Sequence, residues 1–526
     1  MYMFLNRIKT AMLTLAFGVF AFLLLSIASA SLAARFTFKV DTSKVWMLAA
    51  KNPMRMWSVE LMLYFSLAVA LSITCAAMFF YAMRNYRWPS FGPKNLRSSK
   101  SAYEIVAMSA PEGQPRIFAG EFEGQRFWAP DEDRALVIGP PGTGKTVFLF
   151  NQLIKCAEQK MSFVCVDFKP EIFKKVGEEL KIMGMQVLCV DPVSNNSLDH
   201  WNLLEEIDGD DITALNEISD ALLPISDPRN RVFTESARDW LRASMLHLKH
   251  DDPKISLPQI YDFLSSQPPA TLAKVLSRSA SEPAKRIGLR LEAGMNDSKS
   301  LAQNGYEGAT RDLQFLGFPS VKAALSYSDF SMLELGTGKP TALFIRFSET
   351  KASSMAPVLT MMLTRILSTL IDTYERRKTV AIFLDELGAL TPIPDLDKTL
   401  NTIRSRHMPT WLYFQTVEQL DAQYGRGAAN KFFAAATTKI CFRLDDQSAR
   451  ESLSALIGKT KEYKITTSRT ETGTSTTKSY EWREVIMPHE IGALVQGEMI
   501  LLRNGKSAIG EARAHHKDYK QFRRKK

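Results

Sequence analysis

The sequence predicts an α/β fold organised on a doubly wound parallel sheet, and three stretches carry that expectation. The first is Ala135-Leu-Val-Ile138, a short apolar run that reads as a buried strand. It leads through Gly139-Pro-Pro-Gly-Thr-Gly-Lys145-Thr146 into Val147 to Ala157, where Phe148, Leu149, Leu153 and Ile154 recur at helical spacing. The second is a pair of strand-like runs, Ser162 to Val166 and Gln186 to Val190, each ending on an aspartate, Asp167 and Asp191. The third is Thr379-Val-Ala-Ile-Phe-Leu384, another apolar run, closed by Asp385 and Glu386. In open sheets of this kind ligands gather at the carboxyl ends of the strands, where each run places its polar residues.

The segment between the first strand and its helix matches the P-loop pattern. Glycines at 139, 142 and 144 let the backbone approach an anion with no Cβ in the way, successive N–H groups face the β-phosphate, and the helix adds its positive end. A lysine reaches the terminal phosphates and a hydroxyl ligates Mg²⁺. Gly139, Pro140, Pro141, Gly142, Thr143, Gly144, Lys145, Thr146 and Val147 are therefore the candidate nucleotide contacts, with ATP and Mg²⁺ the expected ligands. Asp385 and Glu386 form a Walker B arrangement: the aspartate orients Mg²⁺, together with Thr146, and the glutamate polarises the attacking water.

From the amino terminus, no charged residue occurs between Ala11 and Ala34, nor between Leu61 and Met83. Each stretch exceeds the roughly 20 residues that a helix needs to cross a bilayer. The expectation is a transmembrane hairpin over residues 1–83, with helices at about 11–34 and 61–83 joined by a short external loop. The alternative is a cleaved signal peptide, suggested by Arg7, Lys9 and Ala28-Ser-Ala30, but the apolar run is longer than an ordinary signal core. Basic residues flank the second helix on both sides, so the positive-inside rule orients the hairpin only weakly. The P-loop decides, because ATP is cytosolic. Residues 84–130, punctuated by Trp88-Pro89 and Gly92-Pro93, read as a linker leading away from the membrane.

The nucleotide-binding domain is expected over 131–203 and 336–512. Between them, residues 204–335 carry apolar positions at helical spacing (Ala214, Ile218, Ala221, Leu222; Trp240, Leu241, Met245, Leu248) and read as an inserted all-helical domain. The sheet resumes at Thr341 to Ile345, followed by a long helix from Met355 to about Tyr374. After a helix containing Arg404 and Arg406, Thr410-Trp-Leu-Tyr-Phe-Gln415 reads as a strand with a polar end. In multi-subunit motors of this architecture a glutamine there senses the γ-phosphate, and arginines at a subunit boundary act on the neighbour's nucleotide. For Arg404 and Arg406 a solvated helix face is the competing explanation. A strand from Lys439 to Leu444 precedes a polar segment from Thr460 to Lys478, with Gly473 at a hairpin tip. A strand from Met499 to Leu502 and a basic tail, 513–526, close the chain.

The 45% hydrophobic and 23% charged fractions are those of an ordinary folded protein, and the formal charge of +10 favours a polyanionic partner, nucleic acid or an acidic lipid surface. The 5 cysteines contain no C-x-x-C pair and mostly sit in apolar runs, as buried reduced thiols do.

Taken together, these residues resemble the type IV coupling proteins, the membrane-anchored ATPases of conjugative DNA transfer and type IV secretion. The likeness includes the two apolar N-terminal stretches, the P-loop, Val166-Asp-x-Lys-x-Glu171, Asp191-Pro192 with Trp201-Asn202, and the Walker B strand. It continues through Phe414-Gln415-Thr-Val-Glu-Gln-Leu420, Tyr424-Gly425 and Met487-Pro-His-Glu-Ile491. The resemblance implies a RecA-like motor working as a homo-hexameric ring at the bacterial inner membrane, with its ATPase domain in the cytoplasm. Its implied partners are a relaxase-bound single-stranded DNA, effector proteins and the other type IV secretion components. Lys145 and Thr146 carry over as phosphate and Mg²⁺ contacts, Asp385 and Glu386 as Walker B, and Gln415 as sensor. Pro170 departs from the glycine common after the lysine, and the short basic tail departs from the long or acidic extension of members that recruit effectors. Two other functions compete: a membrane-tethered double-stranded DNA translocase, and a docking receptor that binds ATP without hydrolysing it. Against the first stand the missing further membrane helices and DNA-reading module; against the second stands the Asp385-Glu386 pair.

Overall fold

Strands buried on both faces need apolar residues at every position rather than at alternate ones. Arg134-Ala-Leu-Val-Ile138, Ser162-Phe-Val-Cys-Val-Asp167, Val380-Ala-Ile-Phe-Leu384 and Thr410-Trp-Leu-Tyr-Phe414 meet that demand, and all of their residues are buried. A computed structural model describes residues 102–512, apart from 169–170, 195–196, 209–210, 226, 296–300, 348–350, 390–391, 394–395 and 471–472. The predicted membrane hairpin, residues 84–101 and the basic tail lie outside the described residues.

The strands are β1 (Arg116–Phe122), β2 (Gln125–Pro130), β3 (Arg134–Ile138), β4 (Ser162–Asp167), β5 (Gln186–Val190), β6 (Thr341–Arg346), β7 (Val380–Leu384), β8 (Thr410–Phe414), β9 (Thr438–Phe442), β10 (Lys459–Thr470), β11 (Gly473–Glu484), β12 (Glu498–Arg503) and β13 (Lys506–Glu511). All but β10 and β11 join one 11-stranded sheet in the order β2-β1-β13-β12-β9-β3-β8-β7-β4-β6-β5. From β9 to β5 every neighbouring pair is parallel, as the sequence predicts. From β9 outward to β2 every pair is antiparallel, an extension that the sequence did not foretell.

The helices that cover the sheet begin with α1 (Lys145–Glu158) and α2 (Ile172–Ile182). Between β5 and β6 follow α3 (Ile212–Leu222), α4 (Arg231–Asp251), α5 (Leu257–Ser265), α6 (Pro269–Ser277), α7 (Glu282–Gly294), α8 (Leu301–Asp312) and α9 (Pro319–Leu325), with no strand among the described residues. Beyond β6 stand α10 (Ala352–Asp372), α11 (Leu396–Ile403), α12 (Glu418–Tyr424), α13 (Ala428–Ala435), α14 (Gln447–Ile457) and α15 (Pro488–Gly492).

Side chains along each strand alternate between two cores. Phe163, Cys165, Ala381, Phe383, Trp411 and Tyr413 pack with α1 and α2 on one face. Val164, Val166, Ile382, Leu384, Leu412 and Phe414 face α10 on the other, in a core that runs on without interruption into α3 to α9. Each large apolar side chain so buried stabilises the fold by roughly 1.5–3 kcal/mol. Within the helical segment close approach depends on small residues: a Cβ at Gly305 of α8 would come within 2.2 Å of Ser236 Oγ on α4, and one at Gly288 of α7 within 2.3 Å of the Leu276 backbone on α6. Arg365 and Ser368 of α10 reach Glu217 of α3 at 3.5 and 2.9 Å, tying the segment to the sheet's covering helix. Ser354–Asp372 within α10 is long and apolar enough to span a bilayer, yet 78% of that window is buried, which marks it as a core helix.

Residues 116–130, read from sequence as part of the linker, instead form β1 and β2 at the edge of the sheet. The two-residue turn between them places Glu123 and Gly124 at φ 49° and 81°, the mirror-image turn suited to the twist of a hairpin. The antiparallel extension is fastened to the parallel block by a buried ion pair between Arg503, at the end of β12, and Asp133, just before β3. The Arg503 guanidinium also donates to Thr438 Oγ1 at 2.6 Å. Burial pushes the Asp133 carboxyl up from its usual range, and Arg503 pulls in the opposite direction.

Candidate nucleotide site

The order of the central strands brings the predicted site residues together. β8 lies between β3, which leads into the P-loop, and β7, which ends at Asp385 and Glu386. Ile138 stands beside Phe414, and Leu384 beside Leu412, so Gln415 emerges at the same sheet edge between the P-loop segment and the Asp385-Glu386 tip. The Gly139 amide donates to the Phe414 carbonyl at 3.2 Å, which fixes where the P-loop departs from the strand.

Gly142 and Gly144 adopt φ of 78° and 120°, conformations that side chains rarely tolerate. A Cβ on Gly144 would also sit 3.3 Å from the Gly497 backbone, and one on Gly139 would sit 2.7 Å from Phe442 Cβ. The loop is pinned by Thr143 Oγ1 donating to the Pro140 carbonyl at 2.8 Å, and by the Gly497 amide donating to the Thr143 carbonyl at 2.9 Å. α1 starts immediately after Gly144 with no side chain capping its first turn. Its uncapped amides and its dipole are the elements of an anion site. Lys145 is buried, its ammonium donating to the carbonyls of Gly139 and Pro140, while Thr146 is exposed in the first turn.

Asp385 is buried at the tip of β7. Glu386 follows with φ 51°, a left-handed conformation that is uncommon outside glycine and that turns the chain sharply at the end of the strand. Gln415 donates its side-chain amide to the Glu386 carboxylate, and its own backbone N–H donates to Gln419 Oε1 at 2.9 Å. Gln423 reaches the Leu387 carbonyl at 3.1 Å, so α12 grips the tips of both β7 and β8. The donor set offered by Thr146 and Asp385, one hydroxyl and one carboxylate, is all oxygen, which suits a hard cation such as Mg²⁺.

Some of the residues around this site had no motif to announce them. Tyr413, fully buried on β8, donates to Gln152 of α1, whose amide donates in turn to the Phe118 carbonyl at 2.8 Å. Burial, then the Asp385 charge, pushes the Tyr413 phenol well above its ordinary range. The signal available in the sequence was the pair Asn151-Gln152 in an otherwise apolar helix. Phe442, at the end of β9, and Gly497, in the turn before β12, hem in the P-loop from distant parts of the sequence and left no local trace.

Asp167 is fully buried and accepts the Ile172 and Phe173 amides at 3.3 and 2.9 Å, which caps α2. Burial raises its pKa to about 6, against the lowering effect of those amides. Asp191 likewise accepts the Val193 and Ser194 amides at 3.1 and 2.9 Å, with Arg346 at 3.8 Å. Arg404 and Arg406 precede β8, at the sheet edge opposite the P-loop. Arg404 is exposed and Arg406 lies 3.8 Å over the Tyr374 ring, so the structure does not bring either to the nucleotide site of its own chain. A cavity of about 450 Å³ lined by Arg116, Lys160 and Lys378 opens at that same amino edge and contains none of the predicted site residues.

Comparison with known proteins agrees with this geometry. Residues 96–525 match the family described as type IV secretory system conjugative DNA transfer. Among solved structures, the unbound bacterial conjugative coupling protein TrwBdeltaN70 superposes with a TM-score of 0.62 at 18% identity, covering 78% of this chain and 90% of that one. TrwB in complex with ADP and Mg²⁺ gives 0.62 at 18% identity, and TrwB in complex with the non-hydrolysable ATP analogue ADPNP gives 0.60 at 18%, each covering 78% of this chain and 92% of the other. At these identities the likeness is one of fold. No match was found among curated proteins. The extent of the family match, over most of the sequence and through every segment of the sheet, means that this chain belongs to the type IV secretory system conjugative DNA transfer family.

Proposed function

We propose that this protein is the coupling ATPase of its secretion system, a RecA-like motor that uses ATP hydrolysis to move relaxase-bound single-stranded DNA, and protein substrates with it, across the bacterial inner membrane. The observation that carries the proposal is the hydrogen bond from Gln415 to Glu386, between the P-loop strand's neighbour and the Walker B tip. It joins a group suited to accept a proton from water to a group on the next strand, so a change in one is felt by the other.

In this reading the P-loop amides and the amino end of α1 hold the phosphates, and the Lys145 ammonium exchanges the loop carbonyls for phosphate oxygens. Thr146 and Asp385 hold Mg²⁺, which supplies charge neutralisation on the β- and γ-phosphates when bound. Glu386, held by Gln415, orients water and accepts its proton. Loss of the γ-phosphate frees Gln415, and the displacement passes through α12. The TrwB complexes with ADPNP and with ADP and Mg²⁺ support the choice of ligands. Two apolar stretches, 11–34 and 61–83, support a two-pass membrane anchor with the motor in the cytoplasm. A homo-hexameric ring, in which Arg404 or Arg406 serves the neighbour's nucleotide and the helices between β5 and β6 form a domain that meets cargo, completes the proposal.

The test is ATP turnover by the full-length protein in detergent, with and without single-stranded DNA. Turnover that rises with DNA and vanishes in Lys145→Ala is expected. A Lys145→Ala protein that hydrolyses as fast as the parent would refute the site.

A further inference from the structure

The antiparallel ribbon of β10 and β11 stands apart from the sheet, and its register sorts its residues onto two unlike faces. Tyr463 pairs with Tyr480, Lys461 with Trp482, Ile465 with Lys478, and Arg469 with Thr474. Paired residues share a face and neighbours along a strand alternate, so these positions lie together on one side. That side carries all the aromatic residues of the ribbon, Tyr463, Tyr480 and Trp482, and the cations Lys461, Lys478 and Arg469, with an acid only at its base, where Lys459 pairs with Glu484. By register, the other side pairs position Glu462 with Glu481 and also carries positions Lys464 and Arg483. Charge and aromaticity are therefore segregated, which solubility alone does not require.

Tyr480 and Trp482 are each 63% exposed, far from the burial that large aromatic side chains normally reach. The Lys461 ammonium lies over one face of the Trp482 indole, 5.2 Å from the ring centre, which sets a positive charge directly beside the exposed aromatic surface. Aromatic faces spaced two residues apart and bordered by cations are what successive unpaired bases and their phosphates require. Duplex DNA offers no exposed base faces, so its bases could not stack on this side.

We infer that the aromatic face of the β10–β11 ribbon is a binding platform for single-stranded nucleic acid, with Tyr480 and Trp482 stacking on bases and Lys461 contacting a phosphate. The inference rests on the proposed DNA-translocating function and adds to it the place where the strand is gripped.

The experiment uses full-length protein in detergent and a dye-labelled oligo(dT), with affinity read by fluorescence anisotropy at several salt concentrations. Tyr480→Ala/Trp482→Ala should bind about tenfold more weakly or worse, whereas Trp482→Phe should keep most of the affinity, since an aromatic face remains. Lys461→Ala should flatten the salt dependence by roughly one phosphate contact. Oligo(dT) should quench more of the tryptophan emission of the parent than of Trp482→Phe: the other 7 tryptophans are common to both proteins, and of these Trp201, Trp240 and Trp411 are fully buried. Parent and double variant binding oligo(dT) equally would overturn the platform and leave the motor intact. A parent that binds no oligo(dT) would overturn both. Loss of assembly by sedimentation together with loss of DNA would assign the face to a second copy of the chain, and loss of binding to acidic-lipid vesicles with DNA affinity unchanged would assign it to the membrane. Either result contradicts the inference.

Discussion

Gln415 and Glu386 stand on adjacent strands, 29 residues apart in sequence, and the side-chain amide of one donates to the carboxylate of the other. A carboxylate held in this way is oriented. Gln415→Ala should therefore leave ATP affinity within about threefold of the parent and lower turnover by about tenfold or more, because an oriented base becomes a loose one. Equilibrium binding of a fluorescent nucleotide alongside steady-state turnover separates the two effects.

Gly144 has a conformation and a neighbour that both exclude a side chain. Its φ of 120° is unfavourable for alanine, and the new methyl would meet the Gly497 backbone at 3.3 Å. Gly144→Ala should lower stability by roughly 1–3 kcal/mol and displace the loop enough to weaken ATP binding by about tenfold. Isothermal calorimetry would report the affinity, and urea unfolding the stability.

The buried pair of Asp133 and Arg503 joins the antiparallel extension to the parallel block. Arg503→Met strands the Asp133 carboxylate without its counter-charge and should cost about 3–5 kcal/mol, whereas Asp133→Asn with Arg503→Met should recover part of that loss. A double-mutant cycle in urea measures the coupling.

Asp167 gives the stability a definite pH component. Its pKa is raised from 3.8 to about 6 by burial, so the folded protein holds this proton more tightly than the unfolded chain does. The resulting stabilisation is complete below pH 3.8 and is lost as pH rises through about 6. Asp167→Asn cannot ionise, so its melting temperature relative to the parent should rise between pH 4 and pH 7, as read by thermal melts in matched buffers.

The parallel block was legible because burial on both faces writes an uninterrupted apolar run, as in β4 and β7, and because the P-loop and the Asp385-Glu386 pair mark strand ends. β1, β2 and β13 were not. β2 and β13 bury only alternate positions, and Gly120, Pro130 and Gly510 weaken the strand signal of the three segments. Candidate site residues could be named from sequence wherever chemistry limits the choice of residue, as at Lys145 and Asp385. Their partners could not, because Gly497 beside Thr143 and Gln152 beside Tyr413 are contacts between distant segments. The sorting of β10–β11 into two faces also required the register, since a one-residue slip would exchange the two faces.

Glu386→Gln tests the central claim most directly, since it keeps the shape and the hydrogen-bonding reach of the side chain and removes only its basicity. The measurement is the single-turnover rate of ATP cleavage by full-length protein whose nucleotide binding has been verified. The expected result is unchanged binding with cleavage slower by about 10²–10⁴-fold. Cleavage at the parental rate, or a parent that binds ATP and never cleaves it, would contradict the assignment of Glu386 as the base of a working motor.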